Sequence, residues 1–359
     1  MKSPAAVYVE AGKPMVIDDV DIPDPGPKQM QIKQFASGVC HSQLHELDRP
    51  NPNLPLVLGH ESTGVVVKKG SEVTHVKEGD NVMVTWVQRG ARPGLPPVTV
   101  ANVTYKGKPI AYGAPAFTGV FTWARDCIAD EQMVVPLEAG VATDVTSIIG
   151  CAVMTGAGAA MNAAMVRPGD SVAIIGVGGV GLCAVQAAAN LGANPVIVID
   201  LADDKLEFAK KFGATIGVNA AKEDAVAKVR ELMGGGFNDG VDFAFDAIGT
   251  AKTIEQVLMM ARGRRPGDRQ GGEAVVIGVP HGGQAQPAMQ MIFGGKIYRG
   301  APGGCCIPDR DFPTLVRWFK EGRFPLDELV TKRYKLEQIN EACADLRQGK
   351  IAGRAILEF

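Results

Sequence analysis

Two groups of residues in this 359-residue chain have types and spacings that could do chemistry. The first lies in SVAIIGVGGVGLCAVQAAANLGANPVIVID, residues 171–200. Its turn reads Gly176-Val177-Gly178-Gly179-Val180-Gly181. Gly176 permits a tight turn, Gly178 lets the backbone approach a pyrophosphate, and Gly181 lets the next helix pack close to the strand. The free N–H groups and positive end of that helix would face phosphates. Asp200 lies 19 residues beyond Gly181, where an acid would hold a ribose 2′-OH. A lone G-x-G-x-x-G carries little weight; the order strand, turn, helix, strand, Asp predicts a dinucleotide site. Asp200 also predicts NAD. Facing the 2′-phosphate of NADP, it would suffer repulsion of about 4 kcal/mol per charge pair at ~4 Å and effective dielectric ~20. That is on the order of a thousandfold in affinity. The second group is Cys40, His60 and Cys151. Thiolate, imidazole and thiolate suit zinc, with a fourth position left open as in catalytic sites. Residue type alone leaves open that the three never meet.

The elements that must hold these residues fall into two textures. Residues 1–150 are β-rich: AAVYVE, QMQIKQFA, STGVVVKKG and DNVMVTW alternate or are β-branched, with Gly, Pro and Asp between them. From about residue 152 the chain turns Ala- and Met-rich in AVMTGAGAAMNAAM, which suits a helix. Apolar strands then alternate with helices, which predicts an α/β, doubly wound parallel sheet. The tail returns to mixed character and closes on the strand RAILEF. The predicted architecture is a nucleotide domain, 152–304, inserted in a discontinuous β-rich domain, 1–151 and 305–359, with ligands expected in a cleft. Residues 89–109 form the largest Pro/Gly-rich irregular stretch.

Bulk properties are those of a globular protein: 46% hydrophobic, 21% charged, net charge −2. No basic field draws nucleic acid or an anionic membrane. The N-terminus lacks an apolar signal region, and apolar stretches are broken by Gly and Asp, so no membrane span is expected. Seven cysteines without regular spacing predict reduced thiols and a cytoplasmic protein.

VCHSQLH, LGHESTGVVVKKGSEVTHVKEGDNV, GCAVMTG and GVGGVG occur in this order and at matching separations. Together, down to the C-terminal GRAILEF, they resemble the zinc-dependent medium-chain alcohol dehydrogenases over essentially the whole chain. The resemblance implies a Rossmann domain inserted in a GroES-like catalytic domain. It also implies zinc-assisted hydride transfer between an alcohol and NAD. Cys40, His60 and Cys151 fall on the catalytic zinc ligands, and Glu61 on the acid beside the metal. Ser42 falls on the hydroxyl that touches the substrate oxygen, and His45 on the outer histidine of the proton relay. Thr155 falls on a residue lining the nicotinamide, and His41 and Arg354 on positions facing the pyrophosphate. Lys205 falls beside the adenosine ribose with Asp200. Ile277 and Val279, in AVVIGVP, complete the cofactor set, and Trp86 walls the substrate pocket. A homodimer or homotetramer is implied.

Two departures matter. The family commonly holds a second, structural zinc with four closely spaced cysteines, yet residues 81–126 contain none. One zinc per chain is therefore expected, with 89–109 as a metal-free loop. Gln43 stands where the family usually has an Asp that accepts a hydrogen bond from the ligand histidine. Trp86 and nearby aromatics suggest an apolar alcohol: aryl, cyclic, terpenoid or medium-chain. Tyr112, Phe117, Phe121, Trp123 and Ile292 are weaker pocket candidates, and Cys127, Cys183 and Cys343 read as small core residues. The competing readings are a zinc-free quinone or enone reductase of the same superfamily and a non-catalytic binding protein.

Overall fold

The computed structural model describes residues 1–49, 53–90, 95–112, 119–236 and 238–359. The chain divides into two compact units, Met1–Cys151 with Ile307–Phe359, and Ala152–Cys306.

In the first unit the long strand Gln29–Val39 is the organiser. It pairs antiparallel with Ser62–Lys69, with Asp126–Asp130, and with the closing strand Arg354–Glu358. Ser62–Lys69 pairs in turn with Asn81–Val84. The alternation read in QMQIKQFA puts Met30 and Ile32 in the apolar core with Val66, Val82, Val84 and Ile128. A second sheet, built on the hairpin of Lys2–Tyr8 and Val16–Asp21, carries the two-residue strands of the 104–112 region. The Pro/Gly content of 89–109 predicts an irregular loop. Its described part instead folds Thr104–Tyr105 against Lys108–Pro109 and buries Val103 and Tyr105. Polar anchors complete the segment. Asp130 accepts from Thr99 N at 2.7 Å, and Gln29 Nε2 donates to Thr99 O at 3.0 Å.

The second unit holds a six-stranded, all-parallel sheet. Its spatial order is Ile216–Asn219, Val196–Asp200, Val172–Ile175, Phe243–Asp246, Glu273–Val276, Ile297–Gly300. Numbered along the chain, that is the 3-2-1-4-5-6 order of a Rossmann sheet. Val172–Ile175 is buried throughout, as a strand covered on both faces must be, and so reads as a continuous apolar run. The order reverses between the first and fourth of these strands, where such sheets bind ligands at their carboxyl ends.

The run Val145–Ala163 is apolar and long enough to cross a membrane by length and composition alone. Of its most apolar window, 89% is buried inside the protein, as in a core helix. Its turns are widened at Ile149–Val153 and at Ala159–Ala163. Widened turns of this kind occur frequently at functional sites.

Candidate active site

The pairing register of the first unit collects the metal-type residues at one end of its sheet. Ala355 faces Val39, so Cys40 and Arg354 lie just beyond a shared rung. Ser37 faces Ser62, and Gly38 N–H donates to Glu61 O at 3.1 Å, which sets His60 and Glu61 beside the same strand end. Val84 faces Ser62 on the other side. There Thr85 Oγ1 donates to Gly150 O at 2.8 Å, delivering Cys151. Gly150 is required for that approach, because a Cβ there would lie 2.1 Å from Val84 O.

Cys40, His60, Glu61 and Cys151 are all buried, and one ligand atom from each lies within 4.8 Å of every other. The two sulfurs are 3.9 Å apart, and His60 Nε2 is 3.1 Å from Cys151 Sγ. Tetrahedral zinc, with Zn–S about 2.3 Å and Zn–N about 2.0–2.1 Å, needs donors roughly 3.5–3.8 Å apart. The donor types fit zinc; the sulfur–sulfur spacing is close to that range, and the His60–Cys151 pair is a few tenths of an ångström tighter. The Cys40 thiol is held well below the ordinary thiol range, first by its hydrogen bond with Cys151 and then by His60 and the charge of Arg354. Ser42, on the helix His41–Leu47, donates its hydroxyl to Cys40 Sγ at 3.2 Å. His45 sits in the last turn of that helix, its ring 5.5 Å from that of His41, which is exposed. Gln43 is buried, with Nε2 2.7 Å from His60 Nδ1 and Oε1 accepting from Gly59 N–H. Arg354 is buried too, and its guanidinium donates to the Glu61 carboxylate in a close ion pair. Trp86 is half-buried against the first unit's core.

The aromatic pocket candidates divide. Phe121 and Trp123 are fully buried core side chains, and the Trp123 indole donates to Gly38 O at 3.2 Å. Tyr112 packs edge-on to Phe121 and donates to Ala101 O. Of these three, Trp123 is the one bonded to the strand end that carries Cys40. Ile292 is exposed in the second unit, and Phe117 lies outside the described residues. Thr85 and Trp123 are the positioning residues that sequence reading misses. A Thr and a Trp within apolar runs carry no signal of what they hydrogen-bond.

In the second unit the glycine turn joins Val172–Ile175 to the helix Gly179–Asn190. Gly176 has φ +88°, and a Cβ on Gly181 would strike Gly176 O at 1.8 Å, so both positions exclude side chains. Gly178, at the helix start, and its neighbours Gly179 and Val180 are not buried. Asp200 ends its strand. Its carboxylate accepts from Val177 N at 3.0 Å and Leu201 N at 2.7 Å, which fixes it beside the turn. Lys205 lies on the next helix, Asp203–Lys210. Thr155 and Ile277 are buried, whereas Val279 is exposed.

Comparison with known proteins agrees with this geometry. The alcohol dehydrogenase GroES-like domain family matches residues 26–139, and the zinc-binding dehydrogenase family matches 179–321. A putative alcohol dehydrogenase D of Mycobacterium tuberculosis is 34% identical, with 98% of each chain covered. An NDMA-dependent alcohol dehydrogenase of Amycolatopsis methanolica is 35% identical over 98% of this chain and 97% of its own. The crystal structure of benzyl alcohol dehydrogenase from Acinetobacter calcoaceticus superposes with TM-score 0.86 at 29% identity, covering 100% of this chain and 99% of that one. With a Rossmann unit, a GroES-like unit and a buried Cys-His-Cys cluster in one chain, this protein belongs to the zinc-dependent medium-chain alcohol dehydrogenases.

Proposed function

We propose that the chain reversibly oxidises an apolar alcohol to an aldehyde or ketone with NAD, using one zinc ion held by Cys40, His60 and Cys151. The observation that carries this reading is the buried meeting of these three residues with Glu61. Bound there, zinc supplies Lewis acidity toward the substrate oxygen. The chain's own residues do the rest. Ser42 Oγ takes the alcohol proton as it gives up its own hydroxyl proton, and His45, in the last turn of the same helix, is the outer group that releases a proton to solvent. The free N–H groups at the start of Gly179–Asn190 bind the cofactor's phosphates. Asp200 takes the ribose 2′-OH and, by its charge, disfavours NADP. His41, Thr155, Lys205, Ile277, Val279 and Arg354 complete the cofactor contacts, and Trp86 walls the alcohol pocket. The absence of cysteine from residues 81–126 supports a single zinc. Trp86 and the benzyl alcohol dehydrogenase likeness support an aryl or other apolar substrate. Seven free thiols support a reducing compartment, the cytoplasm. A homodimer or homotetramer is the assembly the family resemblance implies.

The test combines elemental analysis with a substrate panel. One zinc per chain after zinc reconstitution, and oxidation of aryl or medium-chain alcohols with NAD in preference to NADP, is the expected result. Loss of the NAD preference in Asp200→Ala assigns the choice to that carboxylate. Near-zero zinc after reconstitution overturns the reading in favour of a zinc-free reductase. NDMA belongs in the panel as an alternative acceptor, since one relative is named for its dependence on it.

A further inference from the structure

The hydrogen-bonding of Gln43 conflicts with metal binding at His60. Gln43 is 1% exposed and lies between two partners. Gly59 N–H can only donate, so it takes the amide oxygen. That leaves the amide nitrogen, also only a donor, 2.7 Å from His60 Nδ1. Nδ1 must therefore accept, and the ring proton resides on Nε2, the atom 3.1 Å from Cys151 Sγ. Nε2 is the nitrogen turned toward the thiolates, and a ligating nitrogen carries no proton. A zinc-bound His60 needs its proton on Nδ1, facing an acceptor. Gln43 can offer one only by turning its amide, which sets its NH2 group against Gly59 N–H, donor facing donor. A carboxylate at position 43 would accept from both at once.

We propose that Gln43 is a positioning residue that holds His60 in the tautomer opposed to metal binding, so that this site takes zinc weakly and exchangeably. The proposal rests on the zinc reading above. A cysteine-histidine-cysteine centre with an amide in this place becomes a site whose occupancy follows zinc supply.

The test uses the full-length chain and zinc alone. In metal-stripped protein, nitrogen-15 NMR of the histidine rings should show His60 protonated on Nε2 in the wild type and on Nδ1 in Gln43→Glu. Competition against a chelator should show Gln43→Glu binding zinc about 10- to 100-fold more tightly. Added charge alone could raise affinity, so a third readout separates the causes. Zinc loading should speed hydrogen exchange of the Gly59 amide in the wild type, where it loses its acceptor, and not in Gln43→Glu. A wild-type His60 already protonated on Nδ1, or a Gly59 amide indifferent to loading, overturns the proposal even where Gln43→Glu fails to fold. Tight, equal zinc binding by both proteins removes the role of Gln43 and leaves the zinc reading standing. Failure of both to bind zinc removes both.

Discussion

Glu61 and Arg354 show how a residue's identity can be legible while its partner is not. Glu61 stands next to His60, and Arg354 opens the last strand nearly three hundred residues later. The register Ala355 to Val39 makes them neighbours, and both are buried. A buried ion pair adds little net stability, but breaking it leaves a charge without compensation. In metal-stripped protein, Glu61→Gln is expected to lose about 3–5 kcal/mol in denaturant unfolding. Replacing both residues, as Glu61→Gln with Arg354→Met, should recover much of that loss. Additive losses in this cycle would show that the two groups do not interact. The cysteines divide by surroundings in the same way. Burial pushes the Cys343 thiol up to about 12, against the charge of Arg347, and raises Cys183 further; burial with the nearby charge of Asp126 raises Cys127 likewise. Cys40, equally buried, moves the other way because a second sulfur and His60 face it.

At the scale of elements, two local arrangements make separate predictions. The segment expected to be a metal-free loop is tied down here by Asp130. One of its oxygens accepts from Thr99 N and the other from Gln132 N at 2.9 Å. Asp130→Ala should cost about 1–3 kcal/mol through the donors it abandons. A chelator should leave that loss unchanged, and a loss that grows with chelation would mean a metal anchors the segment after all. In the parallel sheet, Lys296 enters the strand Ile297–Gly300 as a buried cation, with Nζ 3.2 Å from Leu258 O. Burial, helped by the charge of Arg230, pushes its pKa down to about 8 from 10.5. Between those values the unfolded chain binds more protons than the folded one, so this group makes stability rise with pH across that window. Below about pH 8 the full cost of charging the buried amine is present. Lys296→Met should therefore raise Tm at pH 7 and flatten the wild-type rise between about pH 8 and 10.5. Parallel curves for the two proteins would show that Lys296 is solvated.

For the whole molecule, the proposed division of labour follows from where the candidate ligand atoms sit. Cys40, His60 and Cys151 all belong to the first unit, whereas the glycine turn and Asp200 belong to the second. Zinc binding stabilises the folded form by mass action, about 4.1 kcal/mol at a thousandfold excess over Kd. Chelation should thus raise hydrogen exchange in Gln29–Val39, Ser62–Lys69 and Arg354–Glu358, and leave Val172–Ile175 and Val196–Asp200 protected. Uniform loss of protection would mean the two units unfold as one. The sequence by itself determined the nucleotide unit almost completely. Its strands are continuous apolar runs, its turn is punctuated by glycines with steric reasons to be there, and Asp200 follows at a fixed distance, so all the information is local. It also named the candidate metal ligands, through motifs rather than through any sign that they meet. Only the tertiary structure decided the rest. Antiparallel register brought Cys40, His60, Cys151 and Arg354 to one sheet end. Packing turned Phe121 and Trp123 inward, and the Gly59 N–H claimed the oxygen of Gln43. These are long-range pairings, set by which backbone donor or strand rung a side chain reaches, and the residue types alone do not record them.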